Sequence, residues 1–249
     1  MIFREFDVVH DGRKTVCDVR IPEAEGKLPV IIFSHGYNCC KDDFEYYADY
    51  FADKGFIYVR LSFSGGSSRD TSGYPTTEMS VMTEREDLLA VFEEVCSWDE
   101  VDTTRIHLMG ESMGGLVSAL CAAILQDRIK GIVLLYPALC VVDDWKKMFD
   151  GKEIPEVIDF WNLQLGSCFM TDIMDLDVFG TISGYEGPVR LFHGTQDAVV
   201  PVDYSRRASK VYANCVYTEL EKENHGFSAE GNNIMEPLAY EFILKNNEA

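Results

Sequence analysis

Positive charge is what this chain of 249 residues has least of. Its 22 lysines and arginines face 42 aspartates and glutamates, for a formal net charge of −20. A polyanion is bound through a basic footprint, so nucleic acid is excluded as a partner class. The acidity keeps the chain soluble and sets at most a mild bias toward neutral or cationic substrates over anionic ones. Long apolar runs are missing too. No stretch approaches the roughly eighteen apolar residues that a membrane-spanning helix needs. Met1 is followed by Ile2-Phe3-Arg4-Glu5, which has neither the basic start nor the apolar run of a secretory signal. The eight cysteines (17, 39, 40, 96, 121, 140, 168 and 215) include no Cys-x-x-Cys pair, and no Cys/His set has zinc-ligand spacing. These gaps argue against a disulfide framework and a structural metal, and lead us to expect free thiols in a reducing, cytoplasmic setting. With 47% hydrophobic residues, the chain can bury a large core without such props.

What is present is alternation. Short apolar runs at 29–33, 56–61, 105–109, 131–136 and 188–192 are separated by helical periodicity at about 42–54, 80–97, 113–126, 203–212 and 233–246. Continuous apolar strands between amphipathic helices are the mark of βαβ units and a mostly parallel sheet covered on both faces. Segments 2–9 and 14–21 read as an antiparallel hairpin around Asp11-Gly12, and a late strand near 215–220 completes the sheet. The alternation lapses only between Pro137 and Gly187, where no strand-like run is visible. A structureless loop of that length is improbable in a compact domain. We therefore expect one domain over 1–249 with an inserted, mainly helical cap at about 138–186. The cap aromatics Trp145, Phe160, Trp161 and Phe169 are candidates for lining a substrate pocket, although each alone could serve only the cap's own small core.

One motif carries chemistry. Gly110-Glu111-Ser112-Met113-Gly114 fits Gly-x-Ser-x-Gly, a pattern that should occur by chance in roughly one chain in a dozen of this length. Context decides the matter: an apolar strand leads in through Ile106–Met109, and a helix leads out from Met113. A serine on so sharp a strand-to-helix turn is held clear of the sheet, and the glycines at 110 and 114 remove side chains that would clash there. Ser112 is thus the candidate nucleophile.

A serine hydroxyl needs a base, and histidine is poised for that near neutral pH. Five histidines are available. His10 belongs to the hairpin, His107 lies within the entering strand, and His35 and His193 end strands where they could be satisfied core residues. On this kind of scaffold the order is nucleophile, acid, histidine. His225, in the polar segment Glu223-Asn224-His225-Gly226-Phe227, is the only histidine after 193. Asp197 follows the strand 188–192 and is the leading acid. Asp203 is the runner-up but sits where a helix should begin, and Asp143 and Asp144 are weaker options. Two backbone N–H groups must meet the oxyanion. Met113 supplies one, and the turn Ser34-His35-Gly36-Tyr37 nominates Tyr37 for the other.

With the elbow, the His-Gly turn, the Asp loop and the late histidine in this order, the sequence resembles an α/β-hydrolase of the serine esterase branch. The likeness is nearest to bacterial cinnamoyl/feruloyl esterases, and looser to serine aminopeptidases and monoacylglycerol-lipase-like hydrolases. It spans residues 28–245, although 138–186 matches only as an insertion in the expected place. Carried over position by position, it implies Ser112 as nucleophile, Asp197 as acid, His225 as base, and Tyr37 and Met113 as oxyanion donors. Two departures stand out. Glu111 and Met113 flank the serine where many relatives have His or Gln, and Ser64-Gly65-Gly66-Ser67-Ser68 replaces a common Gly-x-Gly-x-Ser. The expected activity is carboxylester hydrolysis on small or aromatic acyl groups, without a cofactor or metal. The competing readings are a peptidase and a ligand receptor built on a hydrolase scaffold. The expected partner is a small-molecule ester, with a homodimer left open.

Overall fold

In the computed structural model, which describes residues 1–248, β1 (Ile2–His10) and β2 (Arg13–Ile21) form the hairpin expected at the start of the chain. Its turn residues Asp11 and Gly12 both have positive φ, at 48° and 78°. That is the backbone twist a tight two-residue hairpin turn requires. The βα alternation follows: β3 (Leu28–Ser34), α1 (Glu45–Ala52), β4 (Ile57–Ser62), α2 (Val81–Cys96), β5 (Val101–Glu111), α3 (Ser112–Leu125) and β6 (Gly131–Leu135). An insertion then carries α4 (Val141–Met148), β7 (Val157–Phe160), β8 (Leu163–Gly166), α5 (Cys168–Thr171) and α6 (Val178–Ile182). The chain returns through β9 (Val189–Gly194), α7 (Val202–Val211), β10 (Cys215–Leu220) and α8 (Ala229–Asn247).

Eight strands form one sheet in the order β1-β2-β4-β3-β5-β6-β9-β10. It is parallel from β4 to β10, with the β1–β2 hairpin added antiparallel at one edge. This is the α/β-hydrolase fold. Strand periodicity divides the core cleanly. Val30 and Ile32 of β3 and Ile132 and Leu134 of β6 face α2 and α3, while Ile31, Phe33, Val133 and Leu135 face α1 and α8. Strands buried on both faces need apolar side chains at every position, which is why they read as unbroken runs. The helix α3 is buried almost all round, so Ala119, Ala122 and Ser118 let it lie close to the sheet. No helix among the described residues is long and apolar enough to cross a membrane.

The insertion is where the sequence reading needs amending. It is helical in α4, α5 and α6, but β7 and β8 form an antiparallel hairpin in its middle. The connecting residues Trp161 and Asn162 have φ of 47° and 62°, both in the left-handed region. Two positive-φ residues between paired strands normally advertise themselves as Asn-Gly or Asp-Gly. Here a tryptophan occupies the first position, which hides the turn. The insertion does not form a separate core. Trp145, Leu165, Phe169 and Ile182 belong to the same buried cluster as α2, α3 and the sheet.

Candidate active site

The carboxyl ends of β3, β5, β6 and β9 converge on Ser112. It is the first residue of α3, and its φ of +47° places a non-glycine residue in the left-handed region. That conformation costs on the order of 1–2 kcal/mol and persists only where its surroundings enforce it. They do so here. A Cβ at Gly110 would collide with the Gly114 carbonyl, and one at Gly114 would collide with the carbonyls of Ser34 and His35. The Ser112 carbonyl also accepts a hydrogen bond from the Ala138 N–H at 2.8 Å, fixing the turn from the far side.

His225 and Asp197 arrive from separate loops. His225 Nε2 lies 2.9 Å from Ser112 Oγ, and His225 Nδ1 lies 2.8 Å from Asp197 Oδ2. The structure therefore brings these three expected residues into one continuous hydrogen-bonded chain. Asp197 Oδ1 accepts from the N–H groups of Val199 and Val200, each at 2.8 Å. Burial by itself would raise the Asp197 carboxyl, but hydrogen bonds from His193, His225 and the Val200 amide outweigh it and hold the group well below the usual carboxylate range. An ionised Asp197 favours the His225 tautomer with Nδ1 protonated, which leaves Nε2 to accept from the Ser112 hydroxyl.

The other carboxylates are placed elsewhere. Asp203 lies in the first turn of α7 and pairs with Arg206, and Asp143 accepts from the Tyr204 hydroxyl at 2.8 Å. Asp144 lies on the wall of the cavity beside Ser112. The remaining histidines divide as their positions suggest. His10 is on the exposed hairpin, and His35 and His107 are fully buried and hydrogen-bonded at Gly36 and Asn247.

Three residues near the site were not singled out for a role by sequence reasoning. His193 is fully buried, as a core histidine should be, yet its Nε2 lies 3.0 Å from Asp197 Oδ2. The Asn224 side-chain carbonyl accepts from the Ala198 N–H at 2.9 Å and from the His225 N–H at 2.8 Å, tying the Asp197 loop to the His225 loop. Glu111 turns inward behind Ser112. Nearness in sequence, four residues in His193–Asp197 and one in Asn224–His225, was the available signal for the first two.

Tyr37 and Met113 flank the serine. Met113 lies in the first turn of α3, where N–H groups have no intrahelical acceptor. Gly36 packs so close that a Cβ there would stand 3.1 Å from Ser112 Cβ, which brings the Tyr37 backbone alongside Ser112. The Tyr37 side chain has a second role. Its hydroxyl donates to the Phe160 carbonyl at 2.7 Å, fastening the β7–β8 hairpin over the site. A cavity of about 360 Å³ opens from Ser112, and Trp145, Phe160, Trp161 and Phe169 all stand on its wall with Met148 and Val199. Trp145 and Phe169 are buried, whereas Trp161 is largely exposed at the rim. No group of three or more His, Cys, Asp or Glu residues suited to a metal ion occurs among the described residues.

Comparison with known proteins gives the family and the fold. Residues 27–166 match the model of the serine aminopeptidase, S33 family. The chain belongs to that family. It is 26% identical over 133 residues to the esterase FrsA of Vibrio parahaemolyticus, a match covering 53% of this chain and 31% of that esterase. The chain thus spans about a third of the length of that curated relative. Among solved structures, Est1E from Butyrivibrio proteoclasticus with bound ferulic acid superposes with a TM-score of 0.89 at 23% identity, covering 98% of this chain and 100% of that one. The α/β hydrolase GrgF from Penicillium sp. sh18 gives 0.82 at 14% identity over 100% of both chains. At these identities, the structural likenesses establish the fold.

Proposed function

We propose that this protein is a serine carboxylesterase acting through an acyl-enzyme. Ser112 attacks the ester carbonyl while His225 takes its proton. The Tyr37 and Met113 N–H groups receive the oxyanion, and Asp197 stabilises the imidazolium. His225 then protonates the leaving alcohol and later activates the water that releases the acid. The observation that carries this reading is the unbroken Asp197–His225–Ser112 chain opening directly into an apolar, aromatic-walled cavity. The cavity's volume lies in the low part of the range for small-molecule pockets, which favours a short or aromatic acyl group over a long one. The esterase relative and the ferulate-bound structural neighbour point the same way. All eight cysteines are unpaired, which supports a reducing setting.

The test is a panel of nitrophenyl esters of increasing chain length together with a methyl hydroxycinnamate. Turnover that peaks at short or aromatic acyl groups is expected. A preference for acyl chains beyond about ten carbons would overturn the small-acyl assignment, and no turnover on any ester would overturn the esterase reading. One observation favours a second reading, an aminopeptidase. Asp144 stands on an otherwise apolar wall, where a substrate's α-ammonium could meet it. Faster cleavage of aminoacyl nitroanilides than of any ester would select it.

A further inference from the structure

Glu111 occupies the variable position of the elbow motif and has no part in the chemistry set out above. Its side chain is turned into the protein with 5% of the residue exposed, and both carboxyl oxygens are engaged. Oε1 accepts the Gly36 N–H at 3.2 Å, and Oε2 accepts the Tyr136 hydroxyl at 2.5 Å. Each partner borders one component of the site. Gly36 precedes Tyr37 and packs so tightly that a Cβ there would stand 3.1 Å from Glu111 Oε1. Tyr136 directly follows β6 with a φ of +37°, anchored by its N–H to the Phe192 carbonyl at 2.7 Å. Its ring stands edge-on to the His225 imidazole with centroids 4.8 Å apart, and to Phe227 at 4.7 Å.

We propose that Glu111 is a positioning residue, whose ionised carboxylate holds the oxyanion turn through Gly36 and the base through Tyr136. The proposal rests on the serine-hydrolase reading above. An ionised carboxylate only accepts, so it can take both hydrogen bonds at once. Once protonated, one oxygen becomes a donor, and the Tyr136 hydroxyl must turn to accept or lose its partner. The hydrogen bond that anchors Tyr136, and with it the surface on which His225 leans, therefore depends on the charge of Glu111.

The surroundings bring that change of charge into the working range. Burial raises the Glu111 carboxyl, the Tyr136 and Gly36 hydrogen bonds lower it, and Asp43 raises it further, leaving it at about 7. The other titratable groups that sense Glu111 are Cys39 after β3, Tyr46 and Tyr47 on α1, Tyr58 on β4 and Tyr136 itself. None of these brings a positive charge.

The experiment measures the pH dependence of fluorophosphonate inactivation and of nitrophenyl ester turnover for the wild type, Glu111→Gln and Tyr136→Phe. The wild-type acid limb should carry an extra fall of about tenfold across the protonation of Glu111. Glu111→Gln should lack that extra fall, and lose about tenfold in kcat at pH 8 with little change in KM. Tyr136→Phe removes a donor from the carboxylate, so the extra fall should move to higher pH. This variant carries the test if Glu111→Gln fails to fold. An extra fall that persists in Glu111→Gln, or a Tyr136→Phe profile superimposable on the wild type, would overturn the role of Glu111 while leaving the nucleophile intact. Absence of fluorophosphonate labelling at every pH would instead overturn the serine-hydrolase reading itself.

Discussion

His193 and His225 share one oxygen of Asp197: His193 Nε2 lies 3.0 Å from Oδ2, and His225 Nδ1 lies 2.8 Å from the same atom. His193 Nε2 also lies 3.0 Å from the Val200 carbonyl, and its Nδ1 lies 2.7 Å from Ser205 Oγ. A single tautomer satisfies all of these contacts, with Nε2 protonated and Nδ1 accepting the serine hydroxyl. Ser205 thus fixes the ring that helps hold the acid in place. Ser205→Ala leaves Nδ1 without its donor and frees the ring to change tautomer, turning a lone pair toward the carboxylate. The loss should be about tenfold in kcat with KM within about twofold, since one hydrogen bond to a charged group is at stake. Steady-state kinetics on a nitrophenyl ester check this. An unchanged kcat would reduce His193 to core filling.

Asp197→Asn keeps the shape of the acid but not its charge. The amide cannot stabilise the imidazolium, and its NH2 group can force the wrong His225 tautomer. We expect kcat to fall by about 10⁴ with the fold preserved, the effect seen where a serine triad loses its anion. Circular dichroism melts beside the kinetics would separate lost chemistry from lost structure. A fall of less than tenfold would mean that Asp197 is not the group that orients the base.

Stability should carry its own pH signature. Burial lowers both His35 and His107 from 6.5 to about 4, so each stays neutral in the folded state where the unfolded chain takes up a proton. Each therefore contributes stability that is fully present above about pH 6.5 and lost as pH falls from there toward 4, at most about 3 kcal/mol per residue. Glu111, raised by burial, acts in the opposite sense and destabilises as pH rises from its usual value through about 7. A variant comparison isolates the histidine effect. The stability advantage of the wild type over His107→Asn, measured by urea titration, should shrink between pH 7 and 4. An advantage that stays constant across that window would show that His107 is not held neutral by the fold.

The sheet was legible because strands covered on both faces must be apolar throughout, and all eight of its strands were readable as runs or alternations. Ser112 and His225 were legible because the elbow needs glycines at fixed positions and chain order left one histidine. The β7–β8 hairpin was not. Its turn relies on positive φ at Trp161 and Asn162, a conformation that tryptophan rarely supplies and that tertiary contacts enforce here. The Asn38 side-chain amide reaches the Trp161 carbonyl at 3.4 Å, and Tyr37 holds Phe160, both from more than a hundred residues earlier in the chain. The second histidine on Asp197 stayed hidden for a related reason. A buried histidine satisfied by Ser205 and one that also grips a carboxylate look alike until the loop of residues 194–200 is folded. Glu111 stood out as a departure from the usual neighbour of the serine, but its partners lie on two other strand ends.

The central claim is that Ser112 is acylated, and intact-protein mass spectrometry after rapid mixing with a nitrophenyl ester tests it most directly. The account predicts one acyl group per chain, mapped to the peptide containing Ser112, released with time, and missing from Ser112→Ala. Ester turnover that survives Ser112→Ala undiminished, or an adduct on any other residue, would contradict it.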